Sequence, residues 1–152
     1  MTDAAYSTTG GQEIGAADLI AFLNELLEAE RAGARVALES ARDAQKAARD
    51  RAIVELLTTI QHDEARWCAM LLRQIQILGG TPSLRTGAFH AKAMAIEDLA
   101  ERLAFLNRGQ GWVVRKLREV TPKVRDPALH ADLAHMLSSH VANITLANSA
   151  IA

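Results

Sequence analysis

The placement of its helix breakers constrains this chain more than any other feature. The three prolines stand at positions 82, 122 and 127. Between these breaks run long interiors in which apolar side chains return every three or four residues, the period of one face of an α-helix. Leu19, Leu23, Leu26, Leu27, Ala34 and Ala37 mark a first helix from about Ala16 to Ala44. Ile53, Leu57, Ile60, Trp67 and Leu71 mark a second, from about Arg49 to Leu78, stopped by Gly79-Gly80-Thr81-Pro82 because glycine suits the C-terminal position and proline cannot continue the helix. The charged stretch from Arg42 to Arg51 must hide a tight turn between these two. A third helix is predicted from about Ala91 to Val120, and a fourth from Asp126-Pro127 to about Ser149, its start marked by a capping carboxylate followed by proline at the first helical position. No segment alternates apolar and polar residues with β-branched enrichment, so no strands are assigned. The expected fold is all-α: a four-helix bundle over residues 16–152, preceded by a flexible polar tail over residues 1–15.

Composition bounds the function. A chain of 152 residues, 49% apolar, suits one domain with a proper core. With a formal net charge of −1 it lacks the basic excess a nucleic-acid binder uses to displace counterions. The N-terminal segment has neither the basic start nor the apolar run of a secretion signal, and no segment approaches a membrane span. One cysteine, Cys68, excludes an internal disulfide and any multi-cysteine zinc site, which points to a reducing, cytoplasmic setting. No nucleic-acid or membrane partner is expected.

The seams of the four helices step by three and four residues. They read Leu19, Leu23, Leu26, Glu30, Gly33, Ala37; Leu57, Ile60, Glu64, Trp67, Leu71; Leu99, Leu103, Leu106, Gln110, Val113, Leu117; and Leu133, Met136, His140, Asn143, Ala147. Each turns polar near its middle. A surface glutamate finds a cation three or four residues away, as Glu28 does with Arg31, Asp63 with Arg66 and Glu39 with Arg35 and Arg42. Glu30, Glu64 and His140 have no opposite charge at those spacings. A buried carboxylate without a partner costs several kcal/mol, so Glu30 and Glu64 must be satisfied from across the bundle. A metal ion, a proton or a histidinium would each do this. Counting residues puts the polar groups at one level whether helices two and three are antiparallel or parallel with a connection running the length of the bundle.

The segments LNELLEAERAGARVALE (Leu23 to Glu39) and DEARWCAMLLRQIQILGGTPS (Asp63 to Ser83) resemble the first two helices of rubrerythrin- and bacterioferritin-type proteins, and in style are similar to uncharacterised bacterial ferritin-like families. The resemblance extends from Leu19 to Ile144 and implies a ferritin-like bundle. In that superfamily helices one and three supply glutamates, and helices two and four each supply a glutamate and a histidine three residues on, for two irons. By position, Glu30 and Glu64 match the glutamates of helices one and two. Trp67 stands at the helix-two histidine place, Asn107 and Gln110 stand at the helix-three carboxylate places, and His140 and Asn143 occupy the helix-four glutamate and histidine places. Two carboxylates and one displaced histidine are too few for a di-iron centre.

Two readings stay open. In the first, Glu30, Glu64 and His140 hold one divalent ion (iron, manganese or zinc), with Asn107, Gln110 and Asn143 as weak ligands or supporting hydrogen-bond groups, and the resemblance implies a role in metal handling or oxidative stress. In the second, the polar layer is metal-free, Glu30 and Glu64 share a proton or pair with protonated His140, and the bundle serves assembly or partner binding. An acid–base pair Glu30/Glu64 working without metal is a third, weaker idea. The resemblance also implies a homodimer or higher homo-oligomer. Elsewhere the ordinary expectations hold. His62, His130 and His135 fall off the seams and read as surface residues, and His90 lies near the connection. Cys68, Trp67, Trp112, Met70, Met94 and Met136 read as packing. Gly109 and Gly111 allow a close approach, mark a distortion, or admit a ligand beside Gln110.

Overall fold

The computed structural model describes residues 12–151, and the chain is helical wherever the apolar period is sustained. Helix α1 spans Ala16–Lys46 and α2 spans Arg51–Ile77. A short α3 covers Phe89–Met94, α4 covers Leu99–Val120, and α5 covers Pro127–Ile151. No strand occurs among the described residues. The four long helices form an all-α bundle with α3 on the connection between α2 and α4.

The ends follow from local chemistry. Asp50 accepts a hydrogen bond from the Ala52 N–H at the start of α2 (3.0 Å), and Asp126 does the same for Leu129 in the first turn of α5 (2.9 Å). At the end of α2 the Gly80 N–H reaches the Ile75 carbonyl and the Gly79 N–H reaches that of Gln76, with Gly79 at φ +79°, a Schellman closure. The same pair of bonds closes α1, from Arg49 to Ala44 and from Ala48 to Gln45. There the left-handed residue is Ala48, at φ +51°. A turn built on alanine explains why the charged stretch gave no signal for its position.

Helix three is the main correction. The expected run from Ala91 to Val120 is broken over residues 95–98, and only its C-terminal part is a bundle helix. The break has a cause in the sequence: Asp98 accepts from the Glu101 N–H (2.9 Å), so Asp98-Leu99-Ala100-Glu101 starts a helix with the spacing of a capping box. The proposed tail also needs correction at its inner edge. Residues 1–11 lie outside the described residues, but the Ile14 N–H donates to the Lys123 carbonyl (3.1 Å) and its side chain packs against the core.

Hydrogen bonds along the connection between α2 and α4 fix the topology. Asn24 bonds the Thr81 carbonyl and the Ser83 N–H. Arg31 donates to the carbonyls of Ser83 and Arg85 (2.8 and 2.7 Å), and Ser83 Oγ donates to Glu28 (2.6 Å). His90 meets Glu39 at 2.8 Å. Finally Arg102, buried at the start of α4, bonds Asp43 (2.7 Å) and the Ile96 carbonyl (2.9 Å). The contacts therefore climb α1 from residue 24 to residue 43, and the connection is a crossover running the bundle's length. Helices α2 and α4 are parallel to each other, and α1 and α5 run the other way. Glu28, Arg31 and Glu39, which local spacing reads as solvated pairs on α1, tie down the crossover instead.

Every residue assigned to the four seams is buried. The apolar core falls into two clusters. One contains Leu19, Leu23, Trp67, Leu71, Val113, Leu117, Leu133 and Met136. The other contains Val36, Ala37, Leu57, Ile60, Leu103, Leu106 and Ala147. The polar groups of the seams lie between them. No described helix is long and apolar enough to cross a membrane.

Candidate metal centre

Packing α1, α2 and α5 around the gap between the clusters brings Glu30, Glu64 and His140 together. Each offers a ligand atom within 4.8 Å of the others, and among the described residues this is the one such group. Relative exposures are 1% for Glu30, 3% for Glu64 and 1% for His140, so water cannot carry the charge. His140 Nδ1 lies 2.9 Å from the Met136 carbonyl one turn earlier. A carbonyl can only accept, so the proton sits on Nδ1 and Nε2 is presented to the carboxylates, the arrangement that orients metal-binding histidines. Nε2 stands 2.7 Å from Glu30 Oε1. Neither atom has the alignment of a directed hydrogen bond, and both Glu30 oxygens, Glu64 Oε2 and His140 Nε2 are buried without one.

Electrostatics follow from this crowding. Burial, then the charges of Glu30 and Asp63, push the Glu64 carboxyl well above its ordinary 4.5. For His140 burial favours the neutral ring, but the neighbouring Glu30 carboxylate, the Met136 carbonyl and Asp63 outweigh it and raise the imidazole above 6.5. Cys68, one turn past Glu64, is pushed up to about 12 by burial and by the two glutamates. It is half-buried and packs against the core, an inert thiol.

The residues fit one divalent cation and do not fit two. Donors sharing an ion at roughly 2.0–2.2 Å stand at most about 4.4 Å apart, close to the observed spread. Gly33 supplies the space: a Cβ there would lie 2.5 Å from Glu64 Oε2 and 2.7 Å from Oε1, so the carboxylate rests in the hollow that glycine leaves. Trp67 stands one turn after Glu64 on the same seam of α2. It is buried, its indole N–H has no partner, and its ring meets His135 edge-on at 5.1 Å. An indole cannot ligate. Two carboxylates and one imidazole neutralise one divalent ion and leave positions for water.

The candidate supporting residues divide. Gln110 is buried near the site with both amide atoms unpartnered. Asn107 and Asn143 are engaged elsewhere. Asn107 donates to the Asn148 side chain (2.8 Å) and the Ile144 carbonyl (3.3 Å), and Asn143 donates to Asp63 (3.0 Å). Asp63 is thus not a solvated partner of Arg66. It crosses to α5, where Ser139 also donates to it (3.4 Å). His62, His130 and His135 are exposed, and His90 is half-buried against Glu39.

A pocket of about 260 Å³ opens between α1, α4 and the crossover, with Glu30, Glu64 and Gln110 among its lining and Phe89 and Trp112 among its apolar walls. Gly109 makes room for Phe89, whose ring carbon would lie 2.7 Å from a Cβ at that position. Of the roles open to Gly109 the close approach applies, while a Cβ on Gly111 would meet only Arg115, at 3.7 Å.

Residues 17–149 match the family model described as a domain of unknown function, DUF6306, and the chain belongs to that family. Neither the search of curated proteins nor the search of solved structures finds a match.

Proposed function

We propose that this member of the DUF6306 family is a ferritin-like bundle that binds one divalent metal ion, iron, manganese or zinc, through Glu30, Glu64 and His140, in a metal-handling or oxidative-stress role. The observation that carries the reading is the convergence of three buried donors whose facing atoms lack hydrogen bonds. Buried charged groups left unmatched are costly, and an ion answers all three at once. The order of helices, two antiparallel pairs joined by one long crossover, is that of ferritin-like bundles and supports the family resemblance. A bound ion held by Glu30, Glu64 and His140 would supply a Lewis acid next to the pocket that the two glutamates line. The chain's own part is to hold the donors, through the Met136 carbonyl on His140 and the Gly33 hollow under Glu64, and to exclude bulk water.

The test is elemental analysis of protein produced in medium supplemented with iron, manganese and zinc. Near one equivalent of metal per chain is expected, falling to background in Glu30→Ala and His140→Ala. Sub-stoichiometric metal that persists in Glu30→Ala sinks the reading.

The short contact between His140 and Glu30 supports a second reading, a metal-free bundle held by a Glu30–histidinium pair with Glu64 protonated, serving assembly as a homodimer or larger homo-oligomer. It predicts that Glu64→Gln and His140→Gln stay folded and keep their oligomeric state while no metal is recovered.

A further inference from the structure

The pocket beside the candidate centre has one more unmatched side chain, Gln110, which stands outside the Glu30, Glu64 and His140 cluster. Gln110 is 2% exposed, and neither its amide nitrogen nor its amide oxygen has a partner. Its α4 neighbours at the pocket are apolar or lack a side chain: Leu106, Gly109 and Val113. A buried amide without partners loses the hydrogen bonds it made to water, so a group that both donates and accepts is stabilised beside it. The rest of the wall, with Ala29, Phe89 and Trp112, offers such a group's remainder an apolar surface.

We propose that this pocket binds a small neutral organic molecule with an apolar body and one hydroxyl head, the head paired with the Gln110 amide and the body lying against Phe89, Leu106 and Trp112. Size follows from volume. An apolar cavity of about 150 Å³ holds benzene, so about 260 Å³ accommodates roughly ten non-hydrogen atoms. Charge follows from the lining. Among the described residues no basic side chain lines the pocket to match an anion, and a cationic head would have to leave water for a wall that is mostly apolar. Gln110 adds a neutral donor and a neutral acceptor, and a hydroxyl uses both. Glu30 and Glu64 line the same pocket as Gln110. Binding does not depend on the ion, so the proposal stands apart from the metal reading.

The experiment titrates the full chain, metal-free and zinc-loaded, with straight-chain primary alcohols from butanol to dodecanol, following amide chemical shifts by heteronuclear NMR. Saturable shifts are expected at Phe89, Gly109 and Trp112 in both forms. Affinity should rise about fourfold per methylene and level off once the ligand has roughly ten non-hydrogen atoms. Ala29→Leu should shorten the best chain by about three carbons. Benzyl alcohol should bind more tightly than toluene to the native chain, and less tightly than toluene to Gln110→Leu, where its hydroxyl would be buried without a partner. Gln110→Met repeats that comparison should the leucine variant misfold. No saturable binding, a chain-length dependence untouched by Ala29→Leu, or a preference for benzyl alcohol that survives loss of the amide overturns the proposal and leaves the pocket to water. Zinc content, measured on the same samples, reports on the metal reading separately.

Discussion

Replacing Gly33 by alanine separates the needs of the site from those of the fold. In the interior of α1 the substitution should by itself stabilise the helix by about 1 kcal/mol. The new Cβ, however, would lie 2.5 Å from Glu64 Oε2, and the carboxylate has to retreat by roughly 1 Å to reach ordinary van der Waals separation. It is the far end of a flexible side chain, so in the metal-free protein it moves at a small rotamer cost of about 0.5–1.5 kcal/mol. The two effects nearly cancel, and metal-free Gly33→Ala should denature within about 1 kcal/mol of the native chain. A metal site has no such slack, since ligand distances hold to about ±0.2 Å. Losing the Glu64 oxygen removes one of two anionic donors, and affinity for manganese or zinc should fall at least about 100-fold, beyond what loss of an outer partner costs. Chemical denaturation of the metal-free protein and competition titration of the metal give the two numbers. A variant that gains the full helix-propensity increment and binds metal with native affinity would refute both the placement of Glu64 in the Gly33 hollow and its role as a ligand.

Other expectations follow from the same geometry. Ala48 holds a left-handed conformation that costs a residue with a side chain about 1–2 kcal/mol, so Ala48→Gly should raise stability by about 1 kcal/mol in urea denaturation; a loss would mean that the turn is closed otherwise. The raised values of Glu64 and His140 mean that the folded, metal-free chain binds protons more tightly than the unfolded one. Its stabilisation by them is complete below about 4.5 for Glu64 and 6.5 for His140, and is lost as pH rises through the folded values. Metal binding needs the deprotonated groups, so the stabilisation added by zinc should grow over the same range. Thermal melts across pH with and without zinc test this, and a metal-free chain that becomes more stable as the solution turns alkaline contradicts it. Cys68, pushed up to about 12, should react with iodoacetamide far more slowly at pH 8 than an unfolded thiol does. Rapid labelling of the native chain would show that the thiol is not held as the packing implies.

How far the sequence reaches can be judged residue by residue. The four long helices, their seams and the membership of Glu30, Glu64 and His140 in one polar layer were all legible, because the helical period and the absence of a local counter-charge are properties of neighbours a few residues apart. The start of α4 at Asp98 was legible too, in the spacing to Glu101, but the apolar residues on either side hid it within a longer apparent run. The turn at Ala48 left no trace, since alanine carries no preference for the conformation that tertiary packing imposes there. Glu28, Arg31, Glu39 and Asp63 misled for the opposite reason. Their local spacing satisfies the rule for surface pairs, but their hydrogen bonds reach residues 51 to 80 positions away.

The amino-acid order by itself determined the number of bundle helices, the faces they bury and the three groups that must find partners across the core. Only the tertiary structure decided that α2 and α4 run parallel, because polar layers at mid-length align in either direction and the choice rests on where the crossover bonds to α1. It also decided that Asn107 and Asn143 face neighbouring helices while Gln110 faces the pocket. A seam position specifies burial, whereas the direction of a buried amide depends on which donors and acceptors the other helices bring within reach.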